Sequence, residues 1–202
     1  MGKGNKPNHA EPLSPYEEER LWTSGILDVN SSNPATLQNT MWFWNAKLLG
    51  LRGADEHRQM QWGDLTFETD VNNKPFLQFN ERTTKTRTGQ HKNIRPFQPT
   101  NFPSQNPERC PIVCYKNFMK ARPQDFSKKD SPFYLEIKYN RKNGDVCSFK
   151  KIALEEKMGG IFKKMCSAAG IMGEKNKSES EKQCEFTAQW SGPKHNSTTV
   201  RA

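Results

Sequence analysis

Apolar residues recur along this chain with two different periods. Leu37, Met41, Trp44, Leu48 and Leu51 fall three and four apart, the spacing of one face of an α-helix. Asn33-Pro34 precedes them, a capping side chain followed by proline at the first helical position. Ser14-Pro15-Tyr16-Glu17-Glu18 carries the same start signal with acids in the first turn, and predicts a helix that runs to Ser24 and stops at Gly25. Gly50 and Gly53 bracket Arg52, and a short helix is expected from Asp55 to Met60. Cys110 to Ala121 reads as a helix with Pro111 at its start. Leu154, Met158, Ile161, Met165 and Ala168 predict a last helix over Leu154 to Ala169, ended by Gly170, although Gly159-Gly160 weakens it by roughly 1 kcal/mol per glycine.

The second period is two. Leu65 to Glu68 and Phe76 to Phe79 alternate apolar and polar residues, and Asp70-Val71-Asn72-Asn73-Lys74 between them has turn chemistry, so an antiparallel hairpin is expected. A third strand is expected near Asn93 to Phe97 and a short one at Phe133 to Ile137. Pro96, Pro99, Pro103 and Pro107 impose an extended connector. After Gly173 the apolar period is lost among Lys, Glu, Ser and Asn. The expected organisation is a flexible arm over residues 1–12, a folded unit over 13–172, and a disordered polar tail over 173–202. The fold class is α+β, mainly helical with a small antiparallel sheet.

Hydrophobic residues make up only 33% of the 202 positions, but twelve Phe and five Trp bury a large area each and sustain a core. The net charge of +9 suits a polyanion such as nucleic acid, whose counterions are released when Lys and Arg neutralise phosphates. A merely soluble basic protein would carry the same charge. No stretch approaches the ~20 apolar residues of a membrane span, so no membrane partner is expected. The five cysteines are scattered at 110, 114, 147, 166 and 184 and read as reduced thiols. Cys110 and Cys114 stand at i, i+4, ordinary for one helical face, and lack a second Cys/His pair at finger spacing, so no metal is predicted. There is no phosphate-cradling glycine loop and no Gly-x-Ser-x-Gly, and the four histidines stand apart, so neither a cofactor nor hydrolase chemistry is expected.

One segment is more specific. Leu49-Gly50-Leu51-Arg52-Gly53-Ala54-Asp55 places an arginine after Gly-Leu and an acid three residues later, and Trp62-Gly63-Asp64 then enters the hairpin. Asn80-Glu81-Arg82-Thr83-Thr84-Lys85-Thr86-Arg87-Thr88-Gly89 follows it. From Arg82 to Arg95 the chain carries Arg82, Lys85, Arg87, Lys92 and Arg95 and no acid, which suits a DNA phosphate clamp beside a hairpin. Taken singly, Arg52 is a helix-end surface arginine and Lys85 a solvated loop charge. In that order and spacing they resemble the first arginine box and the loop lysine of tyrosine recombinases of the phage-integrase type. They look most like the Crypton-derived branch that survives in animal nuclear proteins with MYM-type zinc fingers or glutamine-rich regions.

The resemblance covers roughly Lys6 to Gly173, including Arg109-Cys110-Pro111 and Asp130-Ser131-Pro132-Phe133-Tyr134-Leu135. It implies a core of the DNA breaking-rejoining type and a nuclear location. In such an enzyme a tyrosine attacks the scissile phosphate, two arginines neutralise its non-bridging oxygens, and a lysine protonates the leaving oxygen. Arg52 matches the first arginine, Lys85 the lysine, and Asp55 the acid that supports the box. The family then continues into a His-x-x-Arg, where this chain has Asn176-Lys177-Ser178-Glu179-Ser180-Glu181-Lys182. Its later Gly-His-Lys-Asn has only Ser191-Gly192-Pro193-Lys194-His195 as an echo. The four tyrosines, at 16, 115, 134 and 139, all precede the missing box, and Tyr139 beside Arg141 is the nearest substitute for the nucleophile. A truncated, misassembled or decayed C-terminus accounts for the pattern equally. The expectation is a transposon-derived, catalytically incomplete domain with vestigial Arg52 and Lys85 and weak, largely non-specific affinity for DNA. Two alternatives stand beside it: a nuclear protein-interaction module without DNA binding, and an active recombinase whose C-terminus is truncated or misassembled.

Overall fold

The computed structural model describes residues 11–51, 53–80, 99–138, 149–153, 160–172 and 175–176. The chain enters through a two-residue strand, β1 (Glu11–Pro12), and the first helix, α1 (Pro15–Thr23). Ser14 and Glu17 close a capping box: the Glu17 amide donates to Ser14 Oγ at 3.3 Å, and the Ser14 amide donates to the Glu17 carboxylate at 2.9 Å. Ser24 caps the far end, and Gly25 turns the chain at φ 71°. Both ends of α1 are those expected from the sequence.

The second helix, α2 (Pro34–Leu48), starts where Asn33 Oδ1 accepts from the Ala35 amide at 2.9 Å. The expected stripe is inside, with Leu37, Met41, Trp44 and Leu51 buried and Leu48 half-buried. Gln38, Thr40, Trp42, Phe43 and Asn45 are buried as well, so α2 is enclosed nearly all round. The reason is that neighbours cover each side of it. Trp22 of α1 packs on Phe43 and Trp44, at ring separations of 6.1 and 5.7 Å. His57 and Phe162 stack on Trp42 at 4.6 and 5.9 Å. Thr40 is tolerated inside because its hydroxyl donates to Thr36 and Asp28 carbonyls and accepts from the Asp28 amide.

The short helix α3 (Gly53–Gln59) leads through a turn of 3-10 helix at Trp62–Asp64 into β2 (Leu65–Thr69) and β3 (Pro75–Phe79). These form the expected antiparallel hairpin, with Leu65 opposite Phe79 and Phe67 opposite Leu77. Asp70 holds the turn by accepting from the Asn72 and Lys74 amides at 2.8 and 2.7 Å. The strand β4 (Thr100–Asn101) completes the sheet in the order β2-β3-β4. The strand expected at Asn93 to Phe97 lies outside the described residues.

Cys110 caps α4 (Pro111–Lys120), whose Cys114 and Phe118 face the core. Next comes β5 (Leu135–Ile137), paired antiparallel with β6 (Phe149–Ala153), a strand the sequence pattern does not indicate. Phe149 is drawn inside by an edge contact with Phe118 at 5.1 Å. The last described helix, α5 (Ile161–Ala168), has Gly160 at its N-cap. Its buried side is Ile161, Phe162, Met165, Cys166 and Ala169, and Ala168, assigned to that side from spacing, is exposed. Residues 154–159 of the expected helix lie outside the described residues. Gly170 ends α5 at φ 67°, and Arg20 of α1 donates to the Ala169 carbonyl at 2.7 Å. A final strand, β7 (Lys175–Asn176), runs parallel to β1.

The fold is α+β, with one apolar core that runs from Leu21 to Ile171. Trp62 is stacked on Tyr115 at 5.2 Å and tilted against Phe133 at 5.4 Å. Among the described residues no helix is long and apolar enough to cross a membrane.

Candidate nucleic-acid interface

The segment that carries Arg52 is anchored on both sides. Leu49 closes α2 and is fully buried, Gly50 reverses the chain at φ 62°, and Leu51 is buried again. A side chain at position 50 would be strained in this left-handed conformation, which accounts for the glycine. Arg52 itself lies outside the described residues. On α3 the side chains divide cleanly: His57 points inward and Asp55 outward.

His57 is fully buried, and Nδ1 lies 2.9 Å from the Tyr134 hydroxyl. Asn45 Nδ2 also donates to that oxygen, at 2.9 Å. The Tyr134 hydroxyl thus lies within hydrogen-bonding distance of both side chains. Trp42 stacks on the imidazole. The network ties α2, α3 and the residue before β5 together. Sequence reasoning missed it, because Asn45, His57 and Tyr134 share no periodicity.

Asp55 is 79% exposed and pairs with Arg58 at 2.6 Å, one turn along α3. A pair so exposed contributes about 0.2–1 kcal/mol. The expected support of Arg52 by Asp55 falls on a residue outside the described set. Trp62 and Asp64, which lead into the hairpin, have architectural contacts. Asp64 Oδ2 accepts from the Gln61 amide at 2.7 Å and closes the turn, while its carbonyl accepts from the Asn80 amide at 2.7 Å.

That second bond sets the geometry of the region. Asn80 is the residue from which the basic segment departs, and the Phe79 amide donates to the Pro99 carbonyl at 2.9 Å where the chain returns. Both ends of residues 81–98 are therefore held at one end of the sheet, against the turn that follows α3. Lys85, Arg82, Arg87, Lys92 and Arg95 lie outside the described residues.

A second loop docks on the same turn. The Trp62 amide donates to Ser131 O and the Gly63 amide to Lys129 O, both at 2.8 Å, and the Phe133 amide donates to Met60 O at 2.9 Å. Arg122 holds that loop from within. Its guanidinium lies 4.3 Å over the Trp62 ring and donates to the carbonyls of Phe126, Pro132 and Phe133. Burial pulls its pKa down to about 10, which still leaves it charged at neutral pH. Nothing in Ala121-Arg122-Pro123 signals this role in the sequence.

Two of the three described tyrosines are buried. Tyr134 is enclosed, and burial raises its pKa despite the Asn45 hydrogen bond. Burial likewise pushes Tyr115 up to about 12. Tyr16 is exposed at the start of α1, and Tyr139 lies outside the described residues. Cys110, Cys114 and Cys166 are buried free thiols, and among the described residues no group of three or more His, Cys, Asp or Glu side chains could hold a metal ion.

These features define an α+β domain that gathers the ends of a basic segment at one end of a small sheet. The chain belongs to the family described as "Domain of unknown function (DUF3504)", which matches residues 12–167. It is 26% identical to Zinc finger MYM-type protein 2 of Homo sapiens over 138 residues, 61% of this chain and 10% of that protein. It is 28% identical to Zinc finger MYM-type protein 3 of Homo sapiens over the same length and the same shares. It is 27% identical to the Transcriptional regulator QRICH1 of Homo sapiens over 124 residues, 58% of this chain and 16% of that protein. The link to MYM-type proteins expected from the sequence therefore holds. The chain spans only about a tenth to a sixth of the length of these relatives. No solved structure matches it.

Proposed function

We propose that this chain is a nuclear, transcription-associated domain that binds the DNA backbone, derived from a tyrosine recombinase and catalytically incomplete. The observation that carries the reading is the bond from the Asn80 amide to the Asp64 carbonyl. It brings the base of the segment bearing Arg82, Lys85, Arg87, Lys92 and Arg95 to the turn that follows Arg52 and Asp55, as joint contact with a phosphate would require. The net charge of +9 supports the same partner. The names of the relatives, a transcriptional regulator and MYM-type zinc finger proteins, support the nuclear setting. The buried Tyr115 and Tyr134 and the absence of a His-x-x-Arg after Gly173 support the loss of catalysis.

The test is titration with random-sequence duplex DNA at several salt concentrations, alongside incubation with a nicked suicide substrate. Binding should weaken by about 0.9 in log–log slope per neutralised phosphate. The triple variant Lys85→Ala/Arg87→Ala/Lys92→Ala should flatten the slope by roughly two to three units. Salt-independent binding would overturn the reading, and a covalent protein–DNA adduct would favour an active recombinase.

One observation favours a protein-interaction module instead. Phe102 is 48% exposed and packs on Phe76 at 5.7 Å on the outer face of the sheet, and Val71 is exposed at the hairpin tip. A parent chain that ignores DNA while Phe102→Ser abolishes capture of a nuclear protein would establish that reading.

A further inference from the structure

The loop at residues 127–131 has no part in the sequence-based clamp, yet it rests on the same turn. It carries Lys128 and Lys129, both exposed, with Asp130 beside them. Its backbone is fixed. The Ser131 amide donates to Lys128 O at 3.0 Å, and the Gly63 and Trp62 amides donate to Lys129 O and Ser131 O. The contact at Gly63 is so close that a β-carbon there would lie 2.7 Å from Lys129 Cβ. The loop is therefore presented rigidly, one residue from Asp64, whose carbonyl holds Asn80.

Its charges are unlike those of three paired cations on the described surface. Lys47 pairs with Glu18, Arg58 with Asp55 and Arg109 with Glu19. Among the described residues, the side chains of Lys128 and Lys129 make no ion pair or hydrogen bond. Two unpaired ammonium groups on a fixed backbone form a point-charge contact for phosphate with little ordering left to do on binding. Asp130 offsets one of the two charges in part.

We infer that Lys128 and Lys129 form a second DNA-phosphate contact, separate from the Arg82 to Arg95 segment, so that the duplex backbone is held at two places. This rests on the DNA-backbone reading. Lysine suits it, because such a contact needs a charge rather than the bidentate fork of arginine.

The experiment is a salt-dependent titration of the full chain with random-sequence duplex DNA, comparing the parent with Lys128→Gln/Lys129→Gln. A second double variant, Lys163→Gln/Lys164→Gln, removes the same charge from exposed positions on α5. All three should melt alike, since none of these side chains is buried. The loop variant should flatten the log–log slope by roughly 1.8, at about 0.9 per phosphate, and the α5 variant should match the parent. Equal slopes for the parent and the loop variant overturn the inference and leave the reading intact. Equal flattening in both variants also overturns it, because binding would then follow total charge. A parent that does not bind duplex DNA overturns the reading itself, and the inference with it.

Discussion

At the scale of single residues, Gly63 and Tyr115 make the sharpest predictions. Gly63 is required by contact rather than by backbone conformation, since a β-carbon there meets both the side chain and the backbone of Lys129. Gly63→Ala should destabilise the fold by about 1–3 kcal/mol, the usual range for overpacking. Denaturant titration would measure it, and faster hydrogen exchange at the Trp62 and Gly63 amides would locate it. Stability unchanged by the substitution would mean that the 127–131 loop docks less tightly than described. Tyr115 sets an alkaline limit. Burial raises its pKa from 10.0 to about 12, so the folded state favours the neutral phenol. The stabilisation is complete below about pH 10 and is lost as pH rises through about 12. A shift of this size corresponds to about 3 kcal/mol at most. Tyr115→Phe should flatten the alkaline fall in stability, and tyrosine difference spectra should show this phenol titrating late.

At the scale of elements, legibility in the sequence depends on local chemistry. α1 and α2 are readable because Ser14-Pro15 and Asn33-Pro34 state their own starting points. The hairpin is readable from its alternation and from Asp70. Ser14→Ala should remove the Oγ half of the α1 capping box, leaving the position-14 amide still able to donate to Glu17, and cost about 1 kcal/mol, measured by thermal melting against the parent. β6 is not legible, because Phe149-Lys150-Lys151-Ile152-Ala153 has no alternation and becomes a strand by pairing with distant β5 and packing Phe149 on Phe118. α5 is readable over its described part because Ile161 and Met165 keep the helical spacing and Gly170 marks its end. The candidate site is legible only as a resemblance. Arg52 and Lys85 stand out by order, whereas the buried His57–Tyr134–Asn45 network joins residues far apart in sequence and the carbonyl-binding Arg122 acts through a loop conformation that no local motif signals.

At the scale of the whole molecule, Trp62 links the core to the surface. One side of its turn faces Tyr115 and Phe133, and the other receives the lysine loop and the base of the basic segment. The closure of that segment has a consequence for how the domain can change. The Phe79-to-Pro99 bond fastens the chain where residues 81–98 leave and return, so the pairing of β3 with β4 is made by residues on either side of them. Loop-closure entropy changes by only about 0.6 kcal/mol per doubling of length. Replacing 81–98 with a short Gly-Ser turn should therefore keep the melting temperature within a few degrees while the salt dependence of DNA binding falls sharply, and a collapse in melting temperature would show that the segment supports the fold. Binding and folding would then be inherited as separate modules, and one scaffold can change its ligand by rewriting a single insert while its interior stays as it is.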